Sequence, residues 1–144
     1  MKTLFEASTR AELATRINKL NENSQPHWGK MTVYQMIKHC LMWEEMLLGK
    51  TIYKQSFLGK LAGKFALKDM MKDEPVKRNL PTVPSFKMTG SGDVAGAKTK
   101  WLGLLEQHDQ PTGFMHPFFG QLTPDQAGKM AYKHIDHHLR QFGQ

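Results

Sequence analysis

Thr123-Pro124-Asp125-Gln126-Ala127-Gly128-Lys129-Met130-Ala131-Tyr132-Lys133-His134-Ile135-Asp136-His137-His138-Leu139-Arg140-Gln141-Phe142 is the stretch on which the fold turns. Its start is marked several times over. Thr123 is a good N-cap, Pro124 suits the first helical position, Asp125 lies in the first turn and Gln126 completes a capping box. Ala127, Met130, Ala131, His134 and His138 then recur at helical spacing on one stripe, and Gly143 stands where the helix should stop. A helix with so narrow an inward stripe needs other helices to cover it.

Three more helices follow from the same reasoning. Thr9 and Glu12 have capping-box spacing, Leu13, Ile17 and Leu20 recur behind them, and the run from Asn21 to Pro26 ends the first helix. Thr32 and Gln35 form a second box. The helix they open runs to about Leu48 before Gly49, and its apolar residues wrap most of the cylinder, which predicts a central position. Asp93 caps a third helix carrying Val94, Ala97, Trp101, Leu104 and Leu105, stopped by Gln110-Pro111-Thr112-Gly113. Residues 50–93 form a long crossover, with room for a helix of its own from about Ser56 to Lys72. Thr82 to Met88 is the best candidate for a strand, and a weak one. The expected fold is therefore all-α: one domain over residues 1–144, a four-helix bundle with a long crossover between its second and third helices.

The chain has 144 residues and a net charge of +7. The basicity is local: between Lys50 and Lys87, eight lysines and Arg78 face only Asp69, Asp73 and Glu74. The single cysteine, Cys40, cannot form an internal disulfide, which suits a reducing compartment. No apolar run reaches the ~20 residues of a membrane span, and the first residues lack the apolar core of a signal peptide. A cytoplasmic location is expected.

The late histidines carry the chemistry. On a helix, His134 and His138 stack on one face with Cβ atoms roughly 6 Å apart, so both imidazoles reach one ion at bonds of about 2.0–2.1 Å. His137 falls about 100° away, toward an edge or solvent. His39, on the stripe of Met36 and Trp43 in the second helix, supplies a third donor. Burying three imidazoles without partners would cost several kcal/mol, and an ion that takes their lone pairs removes that cost. His116, in His116-Pro117-Phe118-Phe119-Gly120, is either a fourth or supporting ligand or the polar anchor of an aromatic loop. Three imidazoles suit zinc, nickel, iron and copper alike. His27 and His108, at helix ends, are expected in solvent. Glu44 or Tyr34 would assist as base or proton donor if facing the site; a surface role for Glu44 and a packing role for Tyr34 are the simpler readings.

Trp28-Gly29-Lys30-Met31-Thr32, Gln35-Met36 and His39, with the His116 loop and the run from His134 to Gln141, resemble the DinB family. The likeness is greatest to an uncharacterised branch known by a domain-of-unknown-function label, and it spans nearly the whole chain. It implies an up-down-down-up four-helix bundle with a divalent metal held by His39, His134 and His138. It also implies activity as a metal-dependent transferase on low-molecular-weight thiols such as bacillithiol or mycothiol, or on thiol adducts. Homodimers are common in that family. Many relatives have Arg-Gly-Gln after the last ligand; here Leu139-Arg140-Gln141 follows His138, so an arginine's role there does not carry over to Arg140. Hydrolysis by an activated water is a second chemistry for such a site. A stress-associated scaffold with a structural or vestigial metal is the alternative of a different class.

Lys60, Lys64, Lys68 and Lys72 recur every four residues beside Phe57, Leu61 and Phe65. This reads as an amphipathic helix across the bundle with its lysines in water, so neither nucleic acid nor membrane is expected as a partner. Cys40 reads as a buried structural thiol. Gly90-Ser91-Gly92-Asp93 lacks the preceding strand and Gly-Lys-Ser/Thr ending of a phosphate loop and reads as a helix lead-in.

Overall fold

The computed structural model describes residues 1–82 and 84–144, and the described residues are mostly helical. Their elements are α1 (Ala7–Asn18), α2 (Val33–Leu47), α3 (Phe57–Met70), a 3-10 turn at Pro84–Phe86, α4 (Val94–Leu105), β1 (Met115–His116), β2 (Gly120–Gln121) and α5 (Pro124–Gln141). The strand expected within 82–88 spans residue 83, outside the described residues; the neighbouring Pro84–Phe86 turn is helical.

The sequence signals at the helix starts mostly act as read. Thr32 Oγ1 accepts from the Gln35 N–H at 3.3 Å while Gln35 Oε1 accepts from the Thr32 N–H at 3.1 Å. Thr123 and Gln126 repeat the arrangement at 3.3 and 3.0 Å. Asp93 caps α4 by accepting from the Gly96 N–H at 3.0 Å, and Ser56 caps α3 by accepting from the Gly59 N–H at 3.1 Å. Each cap satisfies a donor that the helix itself cannot.

The first helix departs from its expected start. It begins at Ala7, and Thr9 lies buried in its first turn, its hydroxyl donating to Glu6 at 3.3 Å. Tertiary contacts set this entry instead of a capping box. The Leu4 N–H bonds the Gly128 carbonyl at 3.0 Å, and Arg10 Nη1 donates to the carbonyls of Leu4, Phe5 and His108 at 3.2, 2.8 and 2.8 Å.

α4 packs on α1 and α2, and α5 packs on the same two, so the contacts run in a ring, α1–α4–α2–α5. Leu13 and Ile17 of α1, Met36, Ile37 and Leu47 of α2, Trp101 and Leu105 of α4, and Ile135 and Leu139 of α5 fill the middle with almost no exposure. Each such aliphatic side chain contributes about 1.5–3 kcal/mol of transfer free energy. α2 is the most thoroughly buried helix, as its all-round apolar sequence predicted.

The crossover helix α3 stands apart from that ring and lies on a small hairpin that the sequence pattern did not reveal. β1 and β2 pair antiparallel, Met115 opposite Gln121 and His116 opposite Gly120. α3 meets the intervening turn through glycines. A Cβ on Gly59 or Gly63 would come within 2.5 or 2.2 Å of the Phe118 carbonyl oxygen, so only a bare backbone face can lie this close. At its far end, buried Lys133 of α5 donates to the carbonyls of Met70 and Lys72, both at 2.7 Å, occupying acceptors that α3 leaves open.

Candidate metal centre

His39 projects from α2, and His134 and His138 project from α5 one turn apart. Their available ligand atoms all lie within 4.8 Å of one another. His39 and His138 are buried, while His134 keeps part of its surface accessible although its Nδ1 is enclosed.

Hydrogen bonds behind two of the rings decide which nitrogen carries the proton. His39 Nδ1 stands 3.1 Å from the Phe86 carbonyl oxygen, which can only accept, so Nδ1 bears the hydrogen and Nε2 keeps its lone pair. Gln141 Nε2 donates to the Trp28 carbonyl at 2.8 Å, which turns its Oε1 toward His138 Nδ1 at 2.9 Å. That carbonyl oxygen again requires an N–H, so His138 also presents Nε2 as a lone pair. Both rings are thus fixed as bases aimed inward, the arrangement that metal-binding histidines adopt.

His134 completes the group. Its Nε2 lies 2.8 Å from His39 Nε2, and its Nδ1 is buried with no partner among the described residues. Trp43 stacks on its ring at 4.7 Å and 25°, and Phe86 packs edge-on to His39. Two nitrogens on one tetrahedral ion at bonds of about 2.05 Å would stand ~3.3 Å apart, so the pair needs to open by about half an ångström. Burial lowers all three imidazole pKa values, His138 to about 3, and the neighbouring rings push His134 down further. Neutral imidazole is the ligating form, and this environment enforces it. Three neutral nitrogen donors, two with locked tautomers and one with an orphaned nitrogen, could hold a divalent ion.

The family model described as "Protein of unknown function (DUF1569)" matches residues 4–144. The chain belongs to that family. No curated protein and no solved structure matches it.

Other residues singled out in this DUF1569 member fall into different places. His116 is buried outside the three-histidine group. Its Nδ1 accepts the N–H groups of Phe118 and Phe119 at 3.0 and 3.1 Å, so the ring anchors the aromatic turn on which α3 rests. His137 is half-buried at the edge, its ring 5.7 Å from Trp28. Arg140 Nε turns to Asp136 at 3.0 Å, and Arg16 holds the same carboxylate at 2.9 Å. Tyr34 packs against Gly92, as expected of a first-turn residue.

Two expectations are overturned. Glu44 is wholly buried instead of lying on the helix surface, and His108 is enclosed instead of solvated. Each explains the other, because His108 Nε2 meets Glu44 Oε2 inside the bundle. The sequence hid this pairing across the α2–α4 contact, since Glu44 sits beside the charged Glu45 and His108 follows the end of a helix. Cys40 is buried as expected, and burial raises its thiol pKa well above the ordinary value, with the Glu44 charge adding to the effect. It is no nucleophile here.

Proposed function

We propose that this chain is a divalent-metal protein of the DinB-like superfamily, in an up-down-down-up four-helix arrangement, that acts on low-molecular-weight thiols or their adducts. The observation that carries the reading is the convergence of His39, His134 and His138 with two lone pairs forced inward. In this reading those three residues are the ligands, and zinc, nickel or iron is the ion. When bound, the ion supplies positive charge that favours the deprotonated form of a thiol or water presented to it.

The chain's own residues favour the thiol. Among the described residues no carboxylate joins the three histidines, and Glu44 is occupied by His108. Hydrolysis of an ester or amide also needs a nearby acid to protonate the leaving group, whereas a thiolate adds to an electrophile without one. Trp43 and Phe86 restrict water around the rings, and the Trp28–Gln141–His138 chain of hydrogen bonds keeps the donor orientation fixed. A reducing, cytoplasmic setting suits this chemistry and the lone buried thiol of Cys40.

Elemental analysis of native protein beside His138→Ala tests the metal. About one divalent ion per chain is expected in the parent and almost none in the variant. Failure of the parent to retain zinc, nickel or iron after loading removes the proposal. Metal-loaded protein is then offered bacillithiol, mycothiol or glutathione with a model electrophile. Tight metal retention with no conjugation would favour the scaffold reading, in which the ion is structural.

A further inference from the structure

The charged crossover helix presents an anomaly unrelated to the histidine centre. Ile52, Phe57, Leu58, Leu61 and Phe65 are 86, 78, 64, 63 and 80% exposed, and they account for most of the large apolar side chains left in solvent. The lysines of this helix stand in water as the sequence suggested, but the apolar ridge does not turn inward. The inward face is taken by Gly59 and Gly63, which lie against the Phe118 backbone. Successive helical residues rotate by about 100°, so Phe57, Leu61, Phe65 and Leu58 share the side opposite those glycines. The two phenylalanines alone leave on the order of 300 Å² of apolar surface uncovered. Patches of that size mark interaction sites.

We propose that this face of α3 docks on an anionic lipid bilayer, with its apolar ridge entering the headgroup–acyl boundary and its lysines meeting lipid phosphates. Charge selects this occupant. From residue 50 to residue 72 the chain carries six lysines and one acid, Asp69, which is already paired with Lys72 and Lys77. A second copy would bring an equally basic, acid-poor face and leave the lysines without a complement. An anionic surface satisfies both halves of the pattern, since Lys60 and Lys64 run along one edge of the apolar strip and Lys68 stands between Phe57 and Leu61, each with a stem long enough to reach the headgroups. A groove of about 570 Å³ on the lysine side has Lys60 and Lys64 as its cationic donors beside Leu67 and Phe119. The contact lies on the membrane, not across it: no helix among the described residues is long and apolar enough to span one.

Co-sedimentation of the full chain with vesicles of phosphatidylcholine, with and without phosphatidylserine, over a salt series provides the test. Binding to the anionic vesicles is expected, weakening steeply with salt. At about fivefold per lysine, Lys60→Gln/Lys64→Gln/Lys68→Gln should weaken it on the order of a hundredfold. Phe57→Ser and Phe65→Ser should each weaken it about tenfold or more. These side chains are exposed, so circular dichroism of the variants should match the parent. Equal binding to neutral vesicles, or to none, overturns the proposal. So does tighter, salt-sensitive binding to duplex DNA, or a dimer in sedimentation equilibrium that Phe57→Ser/Phe65→Ser dissolves.

Discussion

Two buried polar clusters share helix α2, and they solve the burial problem in opposite ways. Around Glu44 an acid meets a base: the carboxylate and His108 are enclosed together, and the charge requirement closes on itself. Around His39 there are, among the described residues, three bases and no acid, each kept neutral by burial, with the lone pairs of His39 and His138 aimed inward. The first cluster needs no ion, although Glu44 Oε1 and His108 Nδ1 have no partner among the described residues. The second could hold a positive ion on those lone pairs, in place of the 2.8 Å contact between His39 Nε2 and His134 Nε2. Counting histidines would not separate the two; the partner behind each ring does.

The sharpest way to break the comparison is to remove the acid from the closed cluster. Glu44→Ala leaves His108 buried without its carboxylate, and Glu44 Oε1 and His108 Nδ1 already lack partners, so the remaining network has no reserve. A loss of about 3–5 kcal/mol in urea unfolding is expected, while Glu44→Leu/His108→Leu should recover most of it. If Glu44→Ala costs less than ~1 kcal/mol, the pair is not the closed unit described here.

The same contrast explains what could be read in advance. The three histidines were legible because two of them are local, four residues apart on a helix whose cap, Thr123-Pro124-Asp125-Gln126, fixes the stripe without tertiary information. His39 was legible because its own helix is apolar almost all round. Glu44–His108 was not, since 64 residues separate the partners and neither has a local pattern that announces burial. The helix starts at Thr32, Ser56, Asp93 and Thr123 rest on local hydrogen bonds and were recoverable. The start at Ala7 rests on Arg10 and the Leu4–Gly128 contact and was not. The β1–β2 hairpin is too short to show alternation. The pattern of α3 specifies a helix but not which face turns inward, because two glycines outweigh two phenylalanines when the neighbour is backbone.

Gln141 sharpens the open cluster by a smaller amount. It links the Trp28 carbonyl to His138 and holds that ring's lone pair inward. Gln141→Leu keeps the volume and removes the link, and a loss of about 10–100-fold in metal affinity is expected. Competition against a chromophoric chelator reads this directly. Gln141→Glu keeps an acceptor on His138 Nδ1 and should hold affinity closer to the parent. Equal affinity in Gln141→Leu would mean the tautomer is fixed by something else.

The smallest effect concerns His116, which belongs to neither cluster and separates burial from ligation. Burial lowers its pKa to about 3, and its Nδ1 can accept from Phe118 and Phe119 only while unprotonated. In the unfolded chain the imidazole titrates near its ordinary value of ~6.5. Above that pH neither state binds the proton and stability is undiminished. As pH falls from ~6.5 toward 3 the unfolded state takes a proton that the folded state refuses, so stability declines by at most ~1.4 kcal/mol per pH unit for this one residue. His39, His134 and His138 drift the same way in metal-free protein, so the comparison must be made by difference. His116→Asn places an amide oxygen close to where Nδ1 stood, keeping the two backbone bonds without a titrating group. Urea unfolding of metal-free parent and variant at pH 6.5 and 5.5 should show a shallower decline in the variant. Parallel declines would place the His116 pKa near its ordinary value and remove it as the neutral anchor of the turn beneath α3.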